Sequence, residues 1–240
     1  MDLRIGIAKT HKYTADESGE TIEVIERPLC GGYSVVLCDG MNSGCQAKAI
    51  SSFVVTRIAS LISEGVRDST AIRATSDQLF TTYSGKTEAY LNTVSIDLNT
   101  GTFVVSRNSP CPVYYYQRGI IDSWNNACQP IGGSKHIQPS ITEMPIEAGV
   151  LIILFSDGVF TAGQSYGQEI DIPTLIHSMM DDSNSATAQQ IADFILNQAI
   201  RLDQEKPCQD MCVMVMQVTP SDSGVIRKVS YELPIQNNYY

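Results

Sequence analysis

Positive charge is scarce in this 240-residue chain: 16 lysines and arginines stand against 26 aspartates and glutamates, a net charge of −10. Such a balance repels phosphate backbones and anionic lipid, so neither a nucleic acid nor a membrane is expected as a partner. Long apolar runs are missing as well. Val150 to Phe155 is the longest near the middle, far short of a bilayer span, and the opening MDLRIGIAKTH has no signal-peptide core. A soluble, cytoplasmic protein is expected. The seven cysteines include no C-x-x-C pair and their number is odd, which points to reduced thiols and away from a disulfide framework. Cys208 and Cys212 lack the second ligand pair that a zinc site needs. No Pro/Gly/Ser tract, charge block or repeat marks a linker. The expected division is one domain over 1–220 with a C-terminal extension at 221–240.

What is present reads as strands grouped with strands and helices in two separated pairs. LRIGIAK, TIEVIE and YSVVLC are rich in Ile and Val and separated by turn residues. Ala47, Ile50, Val54, Ile58 and Leu61 then fall on one helical face, and Gly65 ends that helix. Asp68 or Ser69 is the expected N-cap of a second helix showing Ile72, Thr75, Leu79 and Tyr83 on one side. EAYLNTVSIDL, TFVVS, PVYYYQ and IIDSW read as consecutive antiparallel hairpins, followed by VLIILF. Two further helical patterns, around Ile172–Met180 and Ala188–Leu202, precede the last strand, MCVMVMQV. The fold class is therefore α+β, with antiparallel sheets covered by helical hairpins.

The stretch VVLCDGMNSG, Val35 to Gly44, ends an apolar strand on Asp39 and Gly40, and LIILFSDGVF does the same at Asp157 and Gly158. One such Asp-Gly is ordinarily a tight turn. Two of them, with Asp210 just before the final apolar strand, gather carboxylates at strand ends, where they repel and raise one another's pKa. Hard divalent cations such as Mg²⁺ or Mn²⁺ relieve that repulsion, since carboxylate oxygens and water are their preferred ligands.

Asp39-Gly40-Met41-Asn42-Ser43-Gly44, Ser156-Asp157-Gly158-Val159 and Gln209-Asp210-Met211 stand in an order, with NSPCPVYYYQRG and QPIGG between them. This arrangement resembles the PPM-type metal-dependent protein serine/threonine phosphatases, and within them the bacterial branch that regulates sigma factors and sporulation. The likeness runs from about Asp16 to Val218. It implies a four-layer α-β-β-α sandwich, two antiparallel sheets flanked by helical hairpins. It also implies two Mn²⁺ or Mg²⁺ ions that lower the pKa of a water attacking phosphorus in line. Carried over, Asp39 bridges the ions, the Gly40 carbonyl serves one, Asp157 holds one, and Asp39 and Asp157 are the catalytic pair. Met41, Asn42, Ser43 and Gly44 then meet a phosphoprotein substrate.

Four positions depart from the pattern. Asn42 stands where the family has glycine, and Met41 where eukaryotic relatives carry a histidine. The amino-terminal acidic motif, an acidic pair or Gly-Asp in the family, is matched best by Ala15-Asp16, with Glu17 the near alternative, which gives Asp16 a role as metal ligand or as support to one. Gln209 replaces the first acid of the last motif, leaving open whether Gln209 or Asp210 faces the ions. Of these, Gln209 and Asn42 support a rival reading, a non-catalytic binding module of the same fold, which Asp39, Asp157 and Asp210 oppose; the Met41 change is one the bacterial branch shares. Other candidates have plainer accounts. GQSYG matches the nucleophile-elbow spacing but follows no strand, so a loop of small residues explains Ser165 better. His11, His136 and His177 show no ligand spacing, and of the three only His11 lies near Asp16 as a possible general acid. Tyr114 to Tyr116 alternate along a strand and read as sheet packing.

Overall fold

The computed structural model describes residues 1–41, 45–181, 186–220, 224 and 227–232. In chain order the elements begin with β1 (Asp2–Thr10), β2 (Glu20–Glu26), β3 (Gly32–Gly40), α1 (Cys45–Ser63) and α2 (Asp68–Tyr83). There follow β4 (Ala89–Asp97), β5 (Thr102–Asn108), β6 (Val113–Gln117), β7 (Ile120–Trp124), β8 (Ser140–Pro145) and β9 (Leu151–Phe155). The one-turn α3 (Asp157–Phe160), then α4 (Ile172–Asp181), α5 (Ala188–Leu202) and β10 (Met211–Thr219) complete them. Two five-stranded antiparallel sheets, ordered β1-β10-β9-β6-β7 and β2-β3-β4-β5-β8, face one another. The first carries α4 and α5 on its outer face and the second carries α1 and α2, so the α+β, α-β-β-α sandwich holds. Among the described residues no helix is long and apolar enough to cross a membrane.

Strand periodicity explains the layering. Successive side chains alternate faces, so Val35 and Leu37 of β3 enter the layer between the sheets while Val36 and Cys38 pack under α1. β10 lies inside its sheet and is buried on both faces, which is why MCVMVMQV shows no polar alternation. The helix patterns hold at Ala47, Ile50, Val54 and Ile58, with Leu61 half-buried, and Gly65 takes the left-handed φ of +89° that ends α1. Thr187 and Gln190 form a reciprocal capping box at the start of α5.

Three local expectations are corrected. β5 and β6 do not pair: they lie in different sheets. The connection contains Pro110 and Pro112, which offer no N–H to a ladder. The buried Arg107 fixes this crossover by donating to the main-chain carbonyls of Ser109 (3.2 Å), Cys111 (3.1 Å) and Asn126 (3.2 Å). β8 went unread because it is a sheet-edge strand of mixed character, with Ile141 47 % exposed. Asp68 is not the N-cap of α2 but its first helical residue, and its carboxylate accepts from the Arg27 guanidinium at 2.7 Å.

That ion pair pins α2 to the sheet beneath it, because the same guanidinium nitrogen also reaches Ser34 and Ser95. Both partners are largely buried, with side chains 13 % and 5 % exposed. Removing one partner strands the other charge, so Asp68→Ala should cost about 3 kcal/mol in urea unfolding. Asp68→Asn, which keeps an acceptor, should cost less. A loss for Asp68→Ala below about 1 kcal/mol would mean that the pair behaves as an exposed one.

Candidate metal centre

The layer between the sheets is apolar for most of its length and turns polar at one end. Reading the inward positions strand by strand, Leu3, Ile5 and Ile7 lead to Lys9, and Ile22 is preceded by Glu20. Val35 and Leu37 lead to Asp39, Ile96 and Val94 to Asn92, Phe103 and Val105 to Arg107, and Ile152 and Leu154 to Ser156. The antiparallel register brings these ends together, Glu20 opposite Asp39 and Asn92 opposite Arg107. Asp157 follows Ser156 where β9 gives way to α3. Glu20, Asp39 and Asp157 each place one carboxylate oxygen within 4.8 Å of the others.

Glu20 is the deepest of the three, at 0 % exposure, and neither of its side-chain oxygens finds a hydrogen-bond partner among the described residues. An unpaired carboxylate in such a place is costly. Burial pushes Glu20 up to about 8, the nearby Ser156 hydroxyl and Lys9 ammonium opposing the shift and the Asp210 and Asp157 charges adding to it. Burial and the charges of Glu20 and Asp157 push Asp39 up to about 9, and burial raises Asp157 as well. Without a cation this group holds protons. An all-oxygen donor set with orphaned buried oxygens suits Mg²⁺ or Mn²⁺, so the residues fit the ions that the family resemblance implies.

The two glycines beside the acids are present for a reason other than turn geometry, since neither Gly40 nor Gly158 has a positive φ. A Cβ on Gly40 would lie 2.5 Å from the Ala47 carbonyl oxygen, and one on Gly158 would lie 2.0 Å from that of Asp210. Close approach of the neighbouring backbone is what requires them.

Not every expected residue joins the group. Asp16 is exposed in the loop between β1 and β2 and lies outside it. The acid from that region is Glu20, four residues beyond the Ala15-Asp16 match to the family's acidic motif. Gly19-Glu20 was the signal available: Glu20 opens β2 and is the residue that pairs with Asp39. Asp210 spends both oxygens on main-chain N–H groups, Lys12 at 2.8 Å and Gly19 at 2.7 Å, and is not among the three clustered carboxylates. Gln209 is exposed, and its Cβ lies 3.1 Å from the position a Cβ on Gly158 would take, beside Asp157. Both residues precede β10, so strand alternation does not apply to them. Met41 is 43 % exposed, while Asn42, Ser43 and Gly44 fall outside the described residues.

The plainer readings also find their places. Ser165 sits in an exposed 3-10 turn between left-handed glycines, and His11, His136 and His177 are exposed. Tyr114 stacks on Phe155, whereas Tyr115 faces the other way onto Trp124. Cys208 is exposed and Cys212 buried, and all seven cysteines are free.

The profile of the family described as Stage II sporulation protein E (SpoIIE) matches residues 30–219. A stage II sporulation protein E of Priestia megaterium is 23 % identical over 231 residues, which cover 92 % of this chain and 37 % of that protein. This chain thus spans little more than a third of that relative's length. Among solved structures, the PP2C phosphatase domain of SpoIIE from Bacillus subtilis, with a fragment of its regulatory domain, superposes with a TM-score of 0.78. It is 20 % identical, and the match covers 91 % of this chain and 64 % of that one. The catalytic domain of the serine/threonine phosphatase PstP in complex with two manganese ions gives a TM-score of 0.71 at 13 % identity, covering 91 % and 99 % of the two chains.

The electrostatics carry a stability signature. Carboxyls with raised folded-state pKa values bind more protons folded than unfolded, so folding stability falls as pH rises through the interval between the two values. For the metal-free protein that interval runs from the ordinary values of 4.5 for Glu20 and 3.8 for Asp39 up to about 8 and about 9. Thermal unfolding in EDTA should therefore show Tm falling from pH 5 to pH 9. Glu20→Gln should flatten the fall and raise Tm at pH 8. A wild-type Tm that stays level across the interval would mean that the three acids are solvated rather than buried together.

Proposed function

We propose that this chain, which belongs to the stage II sporulation protein E family of PPM-type phosphatases, is a Mn²⁺- or Mg²⁺-dependent hydrolase of phosphoserine and phosphothreonine in proteins. The observation that carries this reading is the convergence of Glu20, Asp39 and Asp157 around the wholly buried, unpartnered carboxylate of Glu20. Those three carboxylates, with the Gly40 carbonyl, would hold the ions. Bound there, divalent ions would supply a water of lowered pKa and neutralise charge developing on the phosphoryl oxygens.

The chain's own residues account for the rest. Asp39, near the end of β3, and Asp157, which opens α3 just past β9, are carried by opposite sheets, so the sandwich sets their separation. The apolar layer behind them, with Leu37, Leu154 and Cys212 buried, keeps bulk water away from that side. Access is from the exposed side, where Met41 opens the segment 41–44 that would meet the substrate. A phosphorylated bacterial regulatory protein, such as an anti-sigma antagonist, is the substrate class that the family reading favours, and hydrolysis by water leaves no phosphoenzyme.

Gln209 bears on how tightly the ions are held. It would contribute a neutral amide oxygen where relatives contribute a carboxylate, and ligand charge sets affinity for hard cations. That substitution favours a second reading, a binding module with the same fold and a weakened site.

Mn²⁺ should support hydrolysis of p-nitrophenyl phosphate and of phosphoserine peptides, and EDTA should abolish both. Asp157→Ala should retain less than about a tenth of the turnover while remaining folded. Gln209→Asp should lower the Mn²⁺ concentration needed for half-maximal activity. Metal-independent turnover by the pure protein would remove the hydrolytic reading. A Tm raised by Mn²⁺ without turnover on any phosphopeptide would leave the binding module as the better account.

A further inference from the structure

Glu20 is held in place by something other than its own side chain, and the holding groups converge from three layers of the fold. Each main-chain polar group of Gly19-Glu20 has a side-chain partner. The Gly19 N–H donates to Asp210 at 2.7 Å, and the Gly19 carbonyl accepts from the Ser51 hydroxyl at 2.6 Å. The Glu20 N–H donates to the Ser18 hydroxyl at 3.2 Å. The Glu20 carbonyl accepts two ammonium groups, Lys9 at 2.6 Å from β1 of the opposite sheet and Lys48 at 2.9 Å from α1 on the outer face. Lys48 also donates to the Thr21 hydroxyl at 3.1 Å, which in turn lies 2.8 Å from the Ser51 hydroxyl. Gly19 cannot carry a side chain here, because a Cβ would lie 2.6 Å from that of Ala47.

The carbonyl's two lone pairs can accept both donors, but two ammonium groups so close repel each other. The carboxylates of Glu20, Asp39 and Asp157 nearby offset that repulsion, and the two contacts tie down the strand end. β2 is the edge strand of its sheet, paired on one side only, and Glu20 is its first residue. Edge-strand ends fray unless tied down. We infer that Lys9 and Lys48 are positioning residues that preset the Glu20 carboxylate for divalent-ion binding by clamping its main-chain carbonyl, with Asp210 and Ser51 bracing the preceding peptide. This inference rests on the metal reading of the site.

The sign of the effect separates this role from bulk electrostatics. If the lysines acted only through their charge, removing one would take away a cation from beside the ions and tighten metal binding. If they act by positioning, removing one loosens Glu20 and weakens binding. Outer groups that orient a ligand typically cost about tenfold or more in metal affinity when lost.

The test is Mn²⁺ binding to the purified protein, by calorimetry and by the spin-resonance signal of free Mn²⁺, for wild type, Lys9→Met, Lys48→Met and Lys48→Arg. Both methionine variants should bind Mn²⁺ about tenfold more weakly, and Lys48→Arg, which keeps a cationic donor, should recover most of the loss. Lys48 is half-buried and methionine keeps its apolar stem, so that variant carries the test if Lys9→Met fails to fold. Affinity that is unchanged or tighter in Lys48→Met overturns the inference and leaves the metal reading intact. Wild-type protein that binds no Mn²⁺ overturns both.

Discussion

Burying the Glu20 carboxylate beside Asp39 and Asp157 is the constraint to which much of this fold answers. Three acids within 4.8 Å of one another, one of them wholly buried, oppose folding whenever they are ionised. The structure accommodates them by confining them to one end of the inter-sheet layer, where the apolar core stops. Strands β1, β2, β3 and β5 turn from apolar to polar at that end, at Lys9, Glu20, Asp39 and Arg107. The core behind supplies rigidity and the polar end supplies chemistry, and no separate scaffold divides the two.

Both open edges on that side of the sandwich are closed by side chains. Gln189 on α5 donates to the Ile7 carbonyl at 2.8 Å and accepts from the Ile7 N–H at 3.1 Å, giving β1 the hydrogen bonds of a missing neighbour. Gly6, next along, must be glycine because a Cβ there would lie 2.3 Å from the main chain of Ala188 and Gln189. On β2 the two lysines occupy the equivalent place. Blocking an edge discourages pairing with another chain. Here the same device also fixes the strand end from which Glu20 projects, so protection of the sheet and preparation of the site are served by the same contacts.

Much of the layering was legible from periodicity alone, because an alternating strand and a helical stripe each state which face is buried. The elements that escaped are those in which another force overrides that signal. β8 is an edge strand with little to bury, and the β5–β6 crossing is decided by two prolines and a buried arginine rather than by any pattern within the strands. The site followed the same division. Asp39 and Asp157 stood out because each interrupts an apolar run, whereas Glu20 opens a strand in a polar stretch that also holds Asp16 and Glu17. Only pairing distinguishes it, and pairing is a long-range property. Counting inward positions back from Ile22, as from Leu37 to Asp39, places Glu20 on the same face, so the information was present but required the register.

The glycines sharpen this point about kinds of evidence. Asp-Gly in a sequence is ordinarily read as a turn, a local inference, and at both positions the local inference names the wrong cause. Neither Gly40 nor Gly158 has a positive φ; each is required by close approach of another segment, Ala47 in the first turn of α1 and Asp210 just before β10. A side chain at Gly158 would push the 209–210 segment away, and with it the Asp210 carboxylate that holds Gly19 and hence the start of β2. One small residue beside Asp157 is thus linked, through Asp210, to the placement of Glu20 on the opposite sheet.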